Sequence, residues 1–330
     1  MSNSLADTYP RLVGDIGGTN ARFAMQLSQG TPISEPLSLP CNDFAGPAEA
    51  IRQYLALTKL PSPRWAGLAI ATAISGDLLA MTNNGWRFSI SETREKLGLT
   101  HLHMLNDFTA LALSLPKLGP YELVQIGSGK AMAGKSIGLV GAGTGLGVSG
   151  LIPCANGYSA IEGEGGHLTM PGFNAREAGL IALARKRFAH VSAERLLSGP
   201  GLKLLYEVIA ESQGIPGENL QADEISKRGV AGSCPICRET IDMFCAMIGT
   251  VAADVALVLG ARGGVYIGGG IIPKLGDYFA TSPFRSRFEK KGRFSSYLAS
   301  IPTWVIHSPW PGLIGAAASL DDDAKQMGGI

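Results

Sequence analysis

The chain has 330 residues, 45% hydrophobic and 17% charged, which fits one or two cored globular domains and excludes a disordered chain. With 28 Lys and Arg against 27 Asp and Glu the net charge is +1, so no overall electrostatic pull toward nucleic acid or a membrane surface exists. The 5 cysteines, an odd number, and a polar start without an apolar run of signal-peptide length argue for a reducing cytoplasm rather than a disulfide framework.

Strands are expected at residues 12–16, 21–27 and 65–72. Between them a helix spans 48–57, where Ile51, Tyr54 and Leu55 recur at helical spacing and Pro61 follows the stop. A strand over 101–105 ends at Asn106-Asp107, and residues 108–115 read as a helix capped by one of those two side chains. A β-rich stretch runs from 124 through 161. Residues 136–161 contain no charge and are long enough to span a bilayer. Their glycines, Pro153 and lack of a sustained helical face make them buried strand–turn–strand instead. Helices follow near 175–190, 201–212 and 236–259, then a strand at 265–267 and a closing helix over 312–320. The 236–259 helix is apolar but interrupted by Arg238, Glu239, Asp242 and Asp254, as in a globular core.

Two glycine turns echo each other: Gly14-Asp15-Ile16-Gly17-Gly18-Thr19 and Gly141-Ala142-Gly143-Thr144-Gly145-Leu146-Gly147. Each follows an apolar strand and leads into another. Glycines at such a turn let backbone N–H groups approach an anion, and threonine adds a hydroxyl donor. A carboxylate beside the nest, Asp15, would repel a bare phosphate unless a divalent cation such as Mg²⁺ lay between them. Residues 129–136 match the Walker A pattern literally, but a P-loop needs a helix directly after Ser136, and Ile137-Gly138-Leu139-Val140-Gly141 cannot start one. Cys234-Pro235-Ile236-Cys237 has no second cysteine pair to complete a zinc site and reads as the start of the long helix. Asn106-Asp107 sits where a strand gives way to a helix, the edge at which open α/β sheets bind ligands. Glu162-Gly163-Glu164-Gly165-Gly166-His167 sets two carboxylates and an imidazole among glycines, which suits a ligand with many hydroxyls. Ser192-Ala193-Glu194-Arg195 reads by itself as a helix N-cap with an acidic first turn.

Together these segments, with residues 81–89 and 263–271, resemble the bacterial glucokinase family, within the larger group that shares the actin, hexokinase and heat-shock ATPase fold; the resemblance covers almost the whole chain. A related repressor and sugar-kinase family carries a cysteine-rich zinc motif after its EGGH-like segment. Here Leu168-Thr169-Met170-Pro171 follows His167, so no structural zinc is expected, and no helix-turn-helix precedes the first strand. The resemblance implies an α/β, two-lobed ribonuclease H-like fold with a ligand cleft between the lobes and a mixed five-stranded sheet in each. The small domain would be residues 8–117, completed by the C-terminal helix at 308–330, and the large α+β domain 118–307.

The resemblance implies phosphorylation of D-glucose at its C6 hydroxyl by ATP, giving glucose 6-phosphate and ADP, with Mg²⁺ and in a cytoplasmic homodimer. The alternatives are a kinase for mannose or fructose, or a non-catalytic sugar-binding regulator; the presence of Asp107 and of both glycine turns argues against the regulator. Carried over by residue, the resemblance makes Asp107 the general base, with Asn106 holding the sugar. Glu164, His167 and Glu194 would bind other sugar hydroxyls, and Asn83 would add a further contact. Gly14, Asp15, Ile16, Gly17, Gly18 and Thr19 would form the first phosphate loop, and Gly143, Thr144 and Gly145 the second. Gly269 and Gly270 would lie against the adenosine, and Asp15 would help place Mg²⁺ through water.

Overall fold

The computed structural model describes residues 5–81, 84–155 and 157–328. It divides into one unit of Met1–Leu118 with Ser308–Ile330 and another of Gly119–His307.

The first unit contains β1 (Arg11–Ile16), β2 (Asn20–Gln26), β3 (Ser34–Pro40), α1 (Pro47–Thr58) and β4 (Trp65–Ile70). A small hairpin of β5 (Leu78–Ala80) and β6 (Arg87–Ser89) precedes α2 (Ile90–Lys96), β7 (His101–Asn106) and α3 (Asp107–Ser114). The main sheet runs β3-β2-β1-β4-β7, with β2 antiparallel to both β1 and β3, and with β1, β4 and β7 parallel. β4, Trp-Ala-Gly-Leu-Ala-Ile, is buried at every position, as a parallel strand covered on both faces must be. Alternation along β1 sorts two cores. Leu12 and Ile16 pack with Phe23, Ile51 and Tyr54, whereas Val13 packs with Leu105, Leu313, Ala316 and Leu320.

The C-terminal helix, Pro311–Gly328, thus returns to cover the second face. It approaches α3 so closely at Gly315 that any side chain there would collide with the Ala110 carbonyl. β3 is absent from the sequence expectations because Pro36 and Pro40 flank its centre; at the sheet edge the missing N–H donors are tolerated.

The second unit contains β8 (Leu123–Ile126), β9 (Ile137–Ala142), β10 (Leu146–Cys154) and β11 (Gly157–Ala160). Then come α4 (Ala175–Arg185), α5 (Ala193–Leu196), α6 (Gly199–Ser212), α7 (Ala222–Ala231), α8 (Pro235–Leu259), β12 (Val265–Gly268) and, after a run of short helices, β13 (Thr303–Ile306). The sheet order is β11-β10-β9-β12-β13-β8. Its first five strands repeat the first sheet's pairing pattern, antiparallel twice and then parallel twice. The sixth, β8, corrects the expectation of five: it pairs antiparallel with β13 and covers that strand's open edge, and the Thr303 hydroxyl donates to the Ile126 carbonyl at 2.6 Å.

α8 is long and apolar enough to cross a membrane, yet it packs against α6, α7, the Phe284–Glu289 helix and β9 within its own unit. Cys234 caps it, its sulfur accepting from the Cys237 N–H at 3.4 Å. Glu177, fully buried on α4, is held by the Arg287 guanidinium at 2.6 Å. Ser136 leads directly into β9, so the Walker-like turn lacks the helix that would make it a P-loop.

Candidate active site

In the first unit the site residues gather at the C-terminal ends of parallel strands. Register pairs Ile16 with Ile70 and Ile70 with Asn106, so Ile16 and Asn106 lie two strand spacings apart, about 10 Å. Gly14 and Asp15 lie within β1 and Ile16 ends it; residues 17–19 make the turn, with the Thr19 side chain exposed. The Gly17 N–H closes the turn on the Asn20 carbonyl at 3.0 Å, and its own carbonyl accepts from the Asn84 side-chain amide at 3.2 Å. The Thr19 carbonyl accepts from the Cys41 N–H at 2.8 Å. The turn is therefore braced from outside.

Burial pushes the Asp15 carboxyl above its ordinary value, against the nearby Arg22 guanidinium, 3.4 Å from Oδ2. Asp15 also lies against the first turn of the C-terminal helix, where a Cβ on Gly312 would come within 2.9 Å of its carboxyl carbon. A half-buried carboxylate whose pKa is raised by desolvation, with a long ion pair to Arg22, is a group that a cation would stabilise in its charged form.

Asn106 and Asp107 divide the labour at the α3 N-terminus. Asn106 is the N-cap, its Oδ1 accepting from the Phe108 N–H at 2.9 Å and the Thr109 N–H at 3.4 Å, while its amide faces the Thr72 carbonyl at 3.5 Å. Asp107 follows as the first helical residue, at the positive end of the helix dipole. Its Oδ1 accepts from the Phe108 N–H at 2.9 Å. Asn83 lies outside the described residues.

In the second unit, three sequence-distant segments meet around Leu146. The Glu194 carboxylate accepts from the Leu146 N–H at 3.0 Å, and an added Cβ at Gly145 would stand 2.5 Å from that same oxygen. Glycine at 145 thus lets the carboxylate lie across the turn. The turn carrying Glu164 and His167 packs onto the same residue, because a side chain at Gly166 would collide with the Leu146 carbonyl. The Ala193 N–H donates to the Leu168 carbonyl at 2.8 Å, tying this turn to the Glu194 segment. Glu164 and His167 are exposed, Glu194 half-buried.

The Gly143 N–H bonds the Gly145 carbonyl at 2.8 Å, and the Gly143 carbonyl accepts from the Gly199 N–H at 2.8 Å. The N-terminus of α6, capped by the Ser198 hydroxyl, therefore abuts the second glycine turn and adds the positive end of a helix dipole. Gly269, at φ +85°, lies so close to the Ala142 carbonyl that no side chain fits, and the Ile271 N–H donates to that carbonyl at 3.2 Å. The turn at 268–270 is thereby laid beside residues 142–143.

Sequence reasoning gave no role to Arg22, Asn84 or the α6 N-terminus. Arg22 was findable: the β1–β2 hairpin pairs it directly with Asp15. The contact of Gly199 with Gly143 had no local signal.

The family model described as Glucokinase matches residues 12–323. The glucokinase of Aromatoleum aromaticum is 56% identical over 323 residues, covering 98% of each chain. That of Neisseria meningitidis is 49% identical over 319 residues, covering 97% of each. The crystal structure of glucokinase from an Antarctic psychrotroph superposes with a TM-score of 0.88 at 37% identity, covering 95% of this chain and 99% of that one.

Proposed function

The chain belongs to the glucokinase family, and from that premise we propose that it transfers the γ-phosphoryl group of ATP to the C6 hydroxyl of D-glucose with Asp107 as general base. ATP-dependent phosphorylation of glucose is the activity of the family. The observation that carries the residue assignment is the shared rim of the first sheet, where a carboxylate at a helix N-terminus stands two strands from a braced glycine turn.

Phosphoryl transfer asks the protein to position the reactants and to offset developing charge. Asp107 accepts the proton from the C6 hydroxyl as that oxygen attacks phosphorus, and the bond from phosphorus to the leaving ADP oxygen breaks. The capping role of Asn106 fixes where the Asp107 carboxylate begins, and its amide, which faces the Thr72 carbonyl, is the group it would offer to the sugar. Because the Gly17 and Gly143 N–H groups close their own turns, anion contacts fall to the later N–H groups and to the Thr19 and Thr144 hydroxyls. Glu164, His167 and Glu194 engage the remaining sugar hydroxyls, and the turn at Gly269 and Gly270 faces the adenosine.

Asp15 fits a Mg²⁺ site of one carboxylate plus phosphate oxygens, reached through water; when bound, the ion would offset negative charge on the transferring group. Water is a small hydroxyl nucleophile that is always present, so alignment that depends on several sugar contacts protects ATP from hydrolysis.

The decisive test is Asp107→Asn, with glucose binding measured by calorimetry beside steady-state kinetics. We expect kcat to fall about 10²–10⁴-fold with glucose affinity largely kept. Turnover near the parent rate would remove Asp107 from its role. We further infer a cytoplasmic homodimer supplying glucose 6-phosphate to glycolysis or related glucose catabolism. The five cysteines, all free, suit a reducing compartment. Analytical ultracentrifugation showing a monomer at micromolar concentration would overturn the dimer.

A further inference from the structure

His101 and His103 lie two residues apart on β7, so both rings leave the same face of the strand. β7 is the edge of the first sheet, and the C-terminal helix covers that face. Asp323 lies one turn beyond Leu320 on that helix and points inward, with 16% of its side chain exposed. Its Oδ2 lies 2.7 Å from His101 Nε2 and 2.8 Å from His103 Nδ1. The two ring nitrogens and the carboxylate oxygen all fall within 4.8 Å of one another. The Trp65 ring packs against His101 at 4.4 Å between centroids, tilted by 48°, and Arg11, bound to Asp321 at 2.6 Å, anchors the same end of the helix.

We propose that His101, His103 and Asp323 form a binding site for a d-block divalent cation of the Zn²⁺ type, clamping the C-terminal helix to the edge of the first sheet. Two imidazoles and one carboxylate are a ligand set for zinc and its neighbours, whereas Mg²⁺ and Ca²⁺ take oxygen ligands. The site is thus chemically distinct from the one assigned to Asp15. Without a cation, both rings must direct a proton at a single oxygen; with one, all three groups offer lone pairs to the same centre. Ligand atoms around tetrahedral Zn²⁺ are about 3.3 Å apart, so both imidazole-to-carboxylate distances, 2.7 and 2.8 Å, would lengthen by about half an ångström on binding. His101 and His103 are 21% and 32% exposed, which leaves water access to complete the shell. The competing thiol pair is poorly suited: burial pushes the Cys237 thiol up to about 12, and metal ligation needs the thiolate.

The test uses the full chain, stripped with chelator and desalted. Titration with ZnCl₂ by calorimetry should show one ion per chain, and Zn²⁺ should raise the thermal midpoint while Mg²⁺ at the same concentration does not. Asp323→Asn and His103→Gln should each weaken Zn²⁺ binding about tenfold or more and abolish the thermal shift. Both variants should keep parent kcat with glucose and Mg·ATP in chelated buffer, which also reports that they fold. Co²⁺ bound to the parent should give visible ligand-field bands without a thiolate charge-transfer band. Zn²⁺ affinity unchanged in Asp323→Asn, no binding in the parent, or a thiolate band in the Co²⁺ spectrum would each overturn the proposal.

Discussion

In the first sheet the glycine turn follows Asp15, paired across its hairpin with Arg22; at the matching register of the second sheet stand Gly141 and Gly147. The two sheets share five strands of one connectivity, so the difference is chemical rather than topological. The charged turn carries its own carboxylate, held up by burial and suited to a cation. The uncharged turn draws its polar partners from elsewhere: Glu194 through the Leu146 N–H, and α6 through Gly199. The last parallel strands differ likewise. β7 runs into Asn106 and Asp107, whereas β13 runs into His307, whose N–H is taken by the Glu122 carbonyl at 2.7 Å. One scaffold, used twice, thus carries a carboxylate-bearing turn and a strand-to-helix aspartate in one copy and an uncharged turn with borrowed polar partners in the other.

The sharpest way to break this contrast is to fill the space that the second turn leaves open. Gly145→Ala places a methyl 2.5 Å from the Glu194 carboxylate and must displace it. We expect kcat/KM to fall about a hundredfold, with far-ultraviolet dichroism unchanged. Parent kinetics would mean that the Glu194–Leu146 contact contributes nothing. A milder change sharpens the same point. Glu194→Gln keeps an acceptor for the Leu146 N–H but removes the charge offered to sugar hydroxyls. The KM for glucose should rise about tenfold while that for ATP stays within about twofold; equal rises in both would place the carboxylate on the nucleotide side instead.

The smallest effect concerns stability in the first turn. Burial holds the Asp15 carboxyl above its unfolded value, so ionising it costs folding free energy. That cost is absent below the unfolded pKa, grows as pH rises from there to the folded pKa, and is complete above it. Asp15→Asn, scanned without nucleotide or Mg²⁺, should therefore melt higher than the parent at pH 7 and at the same temperature in strong acid. A lower midpoint at pH 7 would show that the Arg22 pair outweighs burial.

Much of this molecule is readable before any coordinates. β1, β4, β7 and α8 form within a residue or two of their expected places, because continuous apolar runs and strong stops are local signals. β3, with its two prolines, lacks such signals; α7 carries an acidic first turn and a stop at Gly232 but is short and polar, and both escape notice. Periodicity carries the closing helix only over 312–320, short of the 308–330 that the family resemblance implies; it runs to Gly328, its acidic stretch at 321–323 held by Arg11 and by the two histidines. The candidate site divides in the same way. Asp107 at a strand-to-helix junction and the glycine turns stand out by residue type alone, whereas Arg22 required the hairpin register.

By itself, the amino-acid order determined the residue types of the chemistry, the strands and helices that carry them, and the family, since periodicity, glycine turns and caps act over a few residues. Tertiary packing decided which distant groups meet. Gly145 faces Glu194, Gly199 seals Gly143, and Asp323 arrives between His101 and His103, more than two hundred residues away along the chain. Such meetings depend on which faces of separate elements are buried together, and no local pattern encodes that pairing.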